Sequence, residues 1–209
     1  MKKIILPLVF ASTLFANPTE SVKKASKVLE KWAVANTVKI EFELTWTQFG
    51  KGSTAPSKGT VFIKRPIEKV NGAFKLITSD LEIYNTGVDY YEFRPRTEQL
   101  VIKPAKSDVQ SLGVINKYLS CDVKASKKIE NNYLLDLDVT QCVPSLKKLE
   151  ITVSSLDEKK SKILSILTQD VADNTAEYKL LEADLSLKLS QKDFLPTIVG
   201  DIDTLDLRP

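Results

Sequence analysis

The chain contains no histidine. Its absence removes the Ser-His-Asp and Cys-His arrangements of nucleophilic catalysis, in which imidazole is the base. It also deprives zinc of a common ligand, and two thiols alone cannot complete a tetrahedral site. Neither GxxxxGK[ST] nor GxGxxG occurs, so no glycine-rich phosphate cradle is encoded. The spacing of Cys121 and Cys142, the only cysteines, excludes a CxxC redox pair. After the first residues no run of about 18 apolar residues follows, the length a membrane-spanning helix needs. Low-complexity tracts are absent, and the lysines are scattered rather than gathered into the basic footprint of a nucleic-acid binder. Asp136 and Asp138 fall on the wet side of a strand pattern. Asp201, Asp203 and Asp206 lack the Gly and Glu spacing of a calcium loop. These absences point away from an enzyme, a cofactor or a nucleic-acid partner.

What is present begins with a targeting pattern. Lys2 and Lys3 precede an apolar stretch from Ile4 to Phe15, too short to span a bilayer, and Ala16 is a cleavage candidate. Residues 1–16 read as a signal peptide and 17–209 as one domain. The mature chain is then expected in an oxidising compartment, where two cysteines default to one disulfide, Cys121 to Cys142. No cysteine follows the apolar core, so a lipid anchor on an N-terminal cysteine is not expected. The formal net charge of +3 drops by two with the leader, to about +1, a nearly neutral surface.

The remaining pattern is mostly β. A helix over Thr19–Ala33 places Val22, Ala25, Leu29, Trp32 and Ala33 near one stripe. In the next stretch Val38, Ile40, Phe42, Leu44 and Trp46 alternate with Lys39, Glu41, Glu43, Thr45 and Thr47, a strand with one apolar and one wet face. Gly59-Thr-Val-Phe-Ile-Lys-Arg-Pro66 is a second strand, expected to pair with the first as a long-looped hairpin. Val61, Ile63 and Arg65 share its more apolar row. An arginine there either swings past the sheet end into water or reaches a partner across a hydrophobic concavity. Phe74–Tyr84, Val88–Phe93 and Gln99–Ile102 continue a meander. A second helix is expected from Ser107 to about Leu119, with Val109, Leu112, Ile115 and Leu119 apolar. Strands then resume at Tyr133–Val139, Leu149–Val153 and Ile163–Thr168. Leu181, Ala183, Leu185, Leu187 and Leu189 suggest a last one. Nine to eleven such strands and two helices must curl around their apolar face or cover it.

These residues, in this order, resemble the periplasmic outer-membrane lipoprotein carrier proteins (LolA-type). The likeness rests on the export signal, the first helix and the Phe42-centred strand. It further includes Gly59-x-x-x-x-Lys-Arg-Pro66, the Tyr90-Tyr-Glu-Phe93 strand with Glu98-Gln99 after its turn, and the helix following Pro104. Leu146-Lys-Lys-Leu-Glu-Ile-Thr-Val153 and Phe194-x-Pro196 complete it. Where family members usually carry an aromatic after Lys-Arg-Pro, this chain has Ile67-Glu-Lys-Val70. The cysteine pair is not part of the shared pattern.

The resemblance implies an incomplete antiparallel β-barrel, mainly β with short α-helices over its mouth. It implies a monomeric periplasmic carrier. Acylated lipoproteins would be received from an inner-membrane transporter and passed to an outer-membrane receptor. Arg65 takes the family's place for a latch on the helical lid. The acyl-chain cavity is expected to draw on Ile40, Phe42, Leu44 and Trp46, on Val61 and Ile63, and on Tyr91 and Phe93. Leu112 and Ile115 of the second helix, with Leu135 and Leu137, complete the expected lining. A second reading is a non-catalytic regulatory or lipid-sensing module on the same half-barrel. At about 0.8 kcal/mol per buried CH₂, several long chains would offer on the order of 30 kcal/mol. That exceeds the roughly 20 kcal/mol ceiling of non-covalent affinity, so opening a lid has to offset part of it.

Overall fold

The computed structural model describes residues 18–66, 72–105, 117–197 and 202–208. The expected signal peptide, Leu112, Ile115, Ile67–Val70 and most of the second helix lie outside the described residues; of that helix, residues 117–120 are described and are helical.

Helix α1 spans Pro18–Val34. Its Ala25, Val28, Leu29 and Trp32 recur at helical spacing and are buried, so the apolar stripe makes the contact and the lysines remain outside. Strand β1, Thr37–Gln48, follows after two residues. Its burial alternates through Val38, Ile40 and Phe42, as a one-sided strand requires. The following strands are β2 (Gly52–Ser53), β3 (Ser57–Lys64), β4 (Ala73–Thr78), β5 (Glu82–Asn85), β6 (Asp89–Arg94) and β7 (Gln99–Pro104). Past the helical turn come β8 (Val123–Ile129), β9 (Asn132–Leu137), β10 (Leu146–Val153), β11 (Ile163–Asp170) and β12 (Thr175–Asp184). A 3-10 turn, Gln191–Phe194, precedes β13, Asp203–Asp206.

All thirteen strands belong to one sheet in the order β13-β7-β6-β5-β4-β3-β1-β12-β11-β10-β9-β8, with β2 on β1. The two ends do not meet, so the sheet is an open half-barrel. The β1–β3 hairpin is present, and β1 also pairs β12, which joins the early and late halves of the chain. Every pairing is antiparallel except β13 on β7.

Four details depart from the sequence expectation. The Phe74–Tyr84 stretch is two strands, because the Thr78 hydroxyl accepts from the Leu81 amide and turns the chain. Strand β8 was not expected: Lys-Ala-Ser-Lys-Lys has no apolar alternation. It forms an edge, where lysines deter further strand addition. Strand β13 was not expected either, since Asp-Thr-Leu-Asp reads as a polar tail. Finally, the register between β1 and β12 slips at Glu41/Phe42. That bulge reverses the parity of β12, leaving Leu181 48% exposed and turning Leu180 and Tyr178 inward.

The core lies on the concave side. Helix α1 rests against β8, and its buried stripe joins one apolar cluster with Leu135, Leu149, Ile151 and Val153. The Lys31 ammonium donates to the Glu158 carbonyl at 3.0 Å and ties the helix to the β10–β11 turn. The convex side carries Phe62, Lys75 and Tyr84 in register. The Lys75 ammonium stands 5.0 Å from the Tyr84 ring centre, a cation–π contact. The 3-10 turn lies against β4, with Phe194 fully buried and the Gln191 amide donating to the Thr86 carbonyl.

Cys121 and Cys142 are joined by a disulfide, with Cα atoms 5.6 Å apart. It clips the end of the helical turn 117–120 to the connection between β9 and β10. Among the described residues no helix is long and apolar enough to cross a membrane.

Candidate functional site: an apolar cavity beside a latched helix

Part of the concave face is not filled. Between β1, β3, β4 and β12 lies a cavity of about 300 Å³. Ile40, Phe42 and Leu44 come from β1, and Val61 and Ile63 from β3. Strand β4 adds Phe74 and Leu76, which pair directly with Ile63 and Val61 and so point the same way. Ile166, Tyr178 and Leu180 close the far wall, and Tyr118 reaches in from the helical turn 117–120. Ser57 and Thr78 supply the remaining polar atoms. No charged side chain lines the cavity among the described residues.

Gly59 shapes one wall. It sits directly opposite Phe42 in the β1–β3 ladder, and a Cβ there would fall 2.6 Å from the Phe42 ring tip. The missing side chain lets the ring lie across the neighbouring strand, where its edge meets Tyr178 with ring centres 5.9 Å apart.

Arg65 follows β3 and continues its pairing: its amide donates to the Asn36 carbonyl at 2.8 Å. The guanidinium turns toward the concave side, as the parity of Val61 and Ile63 requires. Its Nε donates to the Ala35 carbonyl at 2.7 Å. One Nη donates to the Trp32 carbonyl at 2.8 Å. Trp32 lies in the last turn of α1 and Ala35 just past it, at a helix end where backbone acceptors lack partners within the helix. A cation there also faces the negative end of the helix dipole. Burial pulls the Arg65 pKa down from its ordinary value, yet guanidinium remains protonated under any physiological condition. Arg65 thus connects the β3 end of the sheet to a helix that also rests against β8 and is tied to the β10–β11 turn.

Not all of the expected lining residues meet at the cavity. Ile40, Phe42, Leu44, Val61 and Ile63 do. Trp46 is 41% exposed at the outer end of β1. Tyr91 and Phe93 pair with Tyr84 and Glu82, so they occupy the convex face, and the Tyr91 hydroxyl donates to the Asp89 carboxylate at 3.3 Å. Leu135 and Leu137 are buried in the packed core with α1. The sequence reading omitted Phe74, Leu76, Ile166, Tyr178, Leu180 and Tyr118. Phe74 and Leu76 were findable, because they alternate within an expected strand. Tyr178 and Leu180 were hidden by the bulge, which no local pattern announces.

The displaced carboxylates are held by neighbouring hydrogen-bond donors and cations at the surface. Among the described residues every carboxylate with a displaced pKa moves down. Asp138 is held low by the Thr140 hydroxyl and amide, Asp170 by Asn174, and Asp206 is drawn to about 2 by hydrogen bonds from Arg208. These are surface acceptors, as is Glu20 on α1, which pairs with Lys24. No group of acidic or thiol side chains among the described residues is placed to hold a metal ion.

No family model matches the sequence, and no curated protein matches it. Solved structures similar to this chain do exist. One is an outer membrane lipoprotein-sorting protein domain from Vibrio parahaemolyticus, at 10% identity and TM-score 0.45, covering 84% of this chain and 96% of that one. Another is an uncharacterized conserved protein from Thermus thermophilus, at 12% identity and TM-score 0.44, covering 87% and 98%. A LolA superfamily protein from Nitrosomonas europaea overlaps at 12% identity and TM-score 0.34, covering 86% and 97%.

Proposed function

We propose that this chain is a periplasmic carrier of lipoproteins. It takes their acyl chains into the cavity between β1, β3, β4 and β12 and moves them from an inner-membrane transporter to an outer-membrane receptor. The observation that supports this best is the pairing of an uncharged cavity with a helix fastened to its wall by Arg65. A carrier needs dry concave surface, a closure that can be undone, and no chemistry.

The size of the cavity suits reversible binding. An engineered apolar cavity of ~150 Å³ stays dry and accepts benzene. Twice that volume has room for on the order of a dozen carbons. At about 0.8 kcal/mol per CH₂, such a segment contributes roughly 10 kcal/mol, between micromolar and nanomolar affinity. Larger cargo requires the helix to move, and Arg65 sets the resistance to that movement. The two guanidinium bonds favour the closed, empty form and so help to expel cargo.

The experiment is native mass spectrometry of the full chain purified from the periplasm of cells that secrete it. Lipid-modified polypeptide is expected to co-purify. More of it is expected on Arg65→Leu, whose lid lacks the bonds that drive release. Purification free of lipid-modified polypeptide for both proteins would overturn the carrier reading.

A further inference from the structure

Two phenols stand in a cavity whose other walls are mostly hydrocarbon. Tyr118 is only 8% exposed, and Tyr178 packs edge-on to Phe42. Among the described residues neither hydroxyl bonds to a protein acceptor, and neither is sealed away from solvent, unlike the indole N–H of Trp32. A tyrosine hydroxyl on an apolar wall ordinarily finds a hydrogen-bond partner. Two phenols with no protein partner among the residues that line one apolar cavity are donors available to an acceptor that arrives with the ligand.

The rest of the lining limits what that acceptor can be. With no Lys or Arg among the described lining residues, a carboxylate head would enter uncompensated, which is strongly disfavoured in an apolar site. Burial, and for Tyr118 also the neighbouring Tyr178, raises both phenol pKa values, Tyr118 to about 12. Both groups are then proton donors at neutral pH.

We propose that Tyr118 and Tyr178 donate hydrogen bonds to the carbonyl of an uncharged acyl ester or amide, and that the cavity discriminates against free fatty-acid anions. This selectivity rests on the carrier reading and narrows it: the bound group is a chain still linked through its carbonyl. Because Tyr118 lies on the helical turn and Tyr178 on the sheet, one carbonyl held by both would also join the turn to the wall.

The test is displacement of a fluorescent apolar dye, N-phenyl-1-naphthylamine, from the full chain by three probes of equal carbon length. These are methyl laurate, laurate at pH 8, and dodecane. Wild type is expected to bind methyl laurate about tenfold more tightly than dodecane, the scale of one to two net hydrogen bonds. Laurate is expected to bind most weakly. The Tyr118→Phe/Tyr178→Phe variant keeps the ring packing and is expected to bind dodecane unchanged while losing the ester preference. Equal affinity of wild type for methyl laurate and dodecane overturns the inference without any variant. So does laurate binding as tightly as the ester, or an ester preference that survives in the double variant. Failure of both dye and dodecane to bind removes the carrier reading as well, which separates the two failures.

Discussion

Arg65 is the residue where sheet and helix meet. Its two bonds to the Ala35 and Trp32 carbonyls are charge-assisted, a class worth about 1.5–3 kcal/mol each when buried. Arg65 is half-buried, so the lower end applies. Arg65→Leu is expected to lower unfolding stability by about 3 kcal/mol, read from the urea midpoint. Arg65→Lys is expected to recover only part, because one ammonium cannot span both carbonyls as the planar fork does. Unchanged midpoints for both variants would show that the bonds contribute nothing net. Tyr118 gives a pH test at the same scale. Its folded pKa of about 12 stands above the ordinary value of 10.0, so the folded state holds a proton that the unfolded chain releases first. The stability linked to it is complete below pH 10 and is lost as pH rises from 10 to about 12. The urea midpoint of wild type should fall more steeply than that of Tyr118→Phe across this window. Parallel profiles would mean that the phenol is not desolvated.

The helical turn 117–120 is packed into the core through Tyr118 and Leu119 and is followed by a covalent constraint. It carries Tyr118 into the cavity and is followed at once by Cys121, bonded to Cys142 21 residues away. In the chain-entropy account a loop of this length is worth about 3 kcal/mol. Cys121→Ala/Cys142→Ala is therefore expected to lower the melting temperature by on the order of 10 °C. Dye binding should weaken with it, since the turn would no longer hold Tyr118 over Ile166 and Tyr178. A melting point that falls while dye affinity stays constant would separate the disulfide from the cavity. The bulge in the β1–β12 pairing is the other decisive element. Without it, Leu181 would face the cavity in place of Leu180 and Tyr178.

At the scale of the whole molecule, an open sheet has two edges to manage. The β8 edge is rich in exposed lysine and is covered in part by α1. The β7 edge is paired by β13, whose hold extends through the Leu207 amide to the Ile102 carbonyl at 2.8 Å and the Arg208–Asp89 ion pair at 3.6 Å. The 3-10 turn with Phe194 anchors the chain on the convex face before β13 begins. Deletion of residues 202–209 exposes Leu100 and Ile102 together with a row of unpaired backbone groups. The truncated chain is expected to self-associate, seen as a rise in mass by light scattering coupled to size exclusion. A monomer with unchanged elution would show that β13 does not guard that edge.

Periodicity carried the reading as far as local forces extend. The alternation in Val38–Phe42 and the stripe of α1 were legible because each is set by neighbours within a few residues, and the β1–β3 hairpin because its two strands are consecutive long runs joined by one loop. So was the inward parity of Arg65, which follows from that of Val61 and Ile63. The disulfide followed from there being only two cysteines and from the expectation of an export signal. What was not legible depends on contacts distant in sequence. Trp46 continues the apolar row of β1 and pairs with Ala176 of β12, but it lies past the last β3 partner at Leu44 and is left largely exposed. Tyr91 and Phe93 have the composition of a lining and the register of the convex face. Leu135 and Leu137 show the burial pattern of a cavity wall, yet α1 packs over that half. Alternation states which side of a strand avoids water. Whether that side meets a helix or an empty volume is decided only when the sheet curls and α1 takes its place. By itself the sequence determined a one-sided sheet with an arginine on its apolar row; tertiary structure decided where the hollow lies, because a void is defined by surfaces that the chain brings together from far apart.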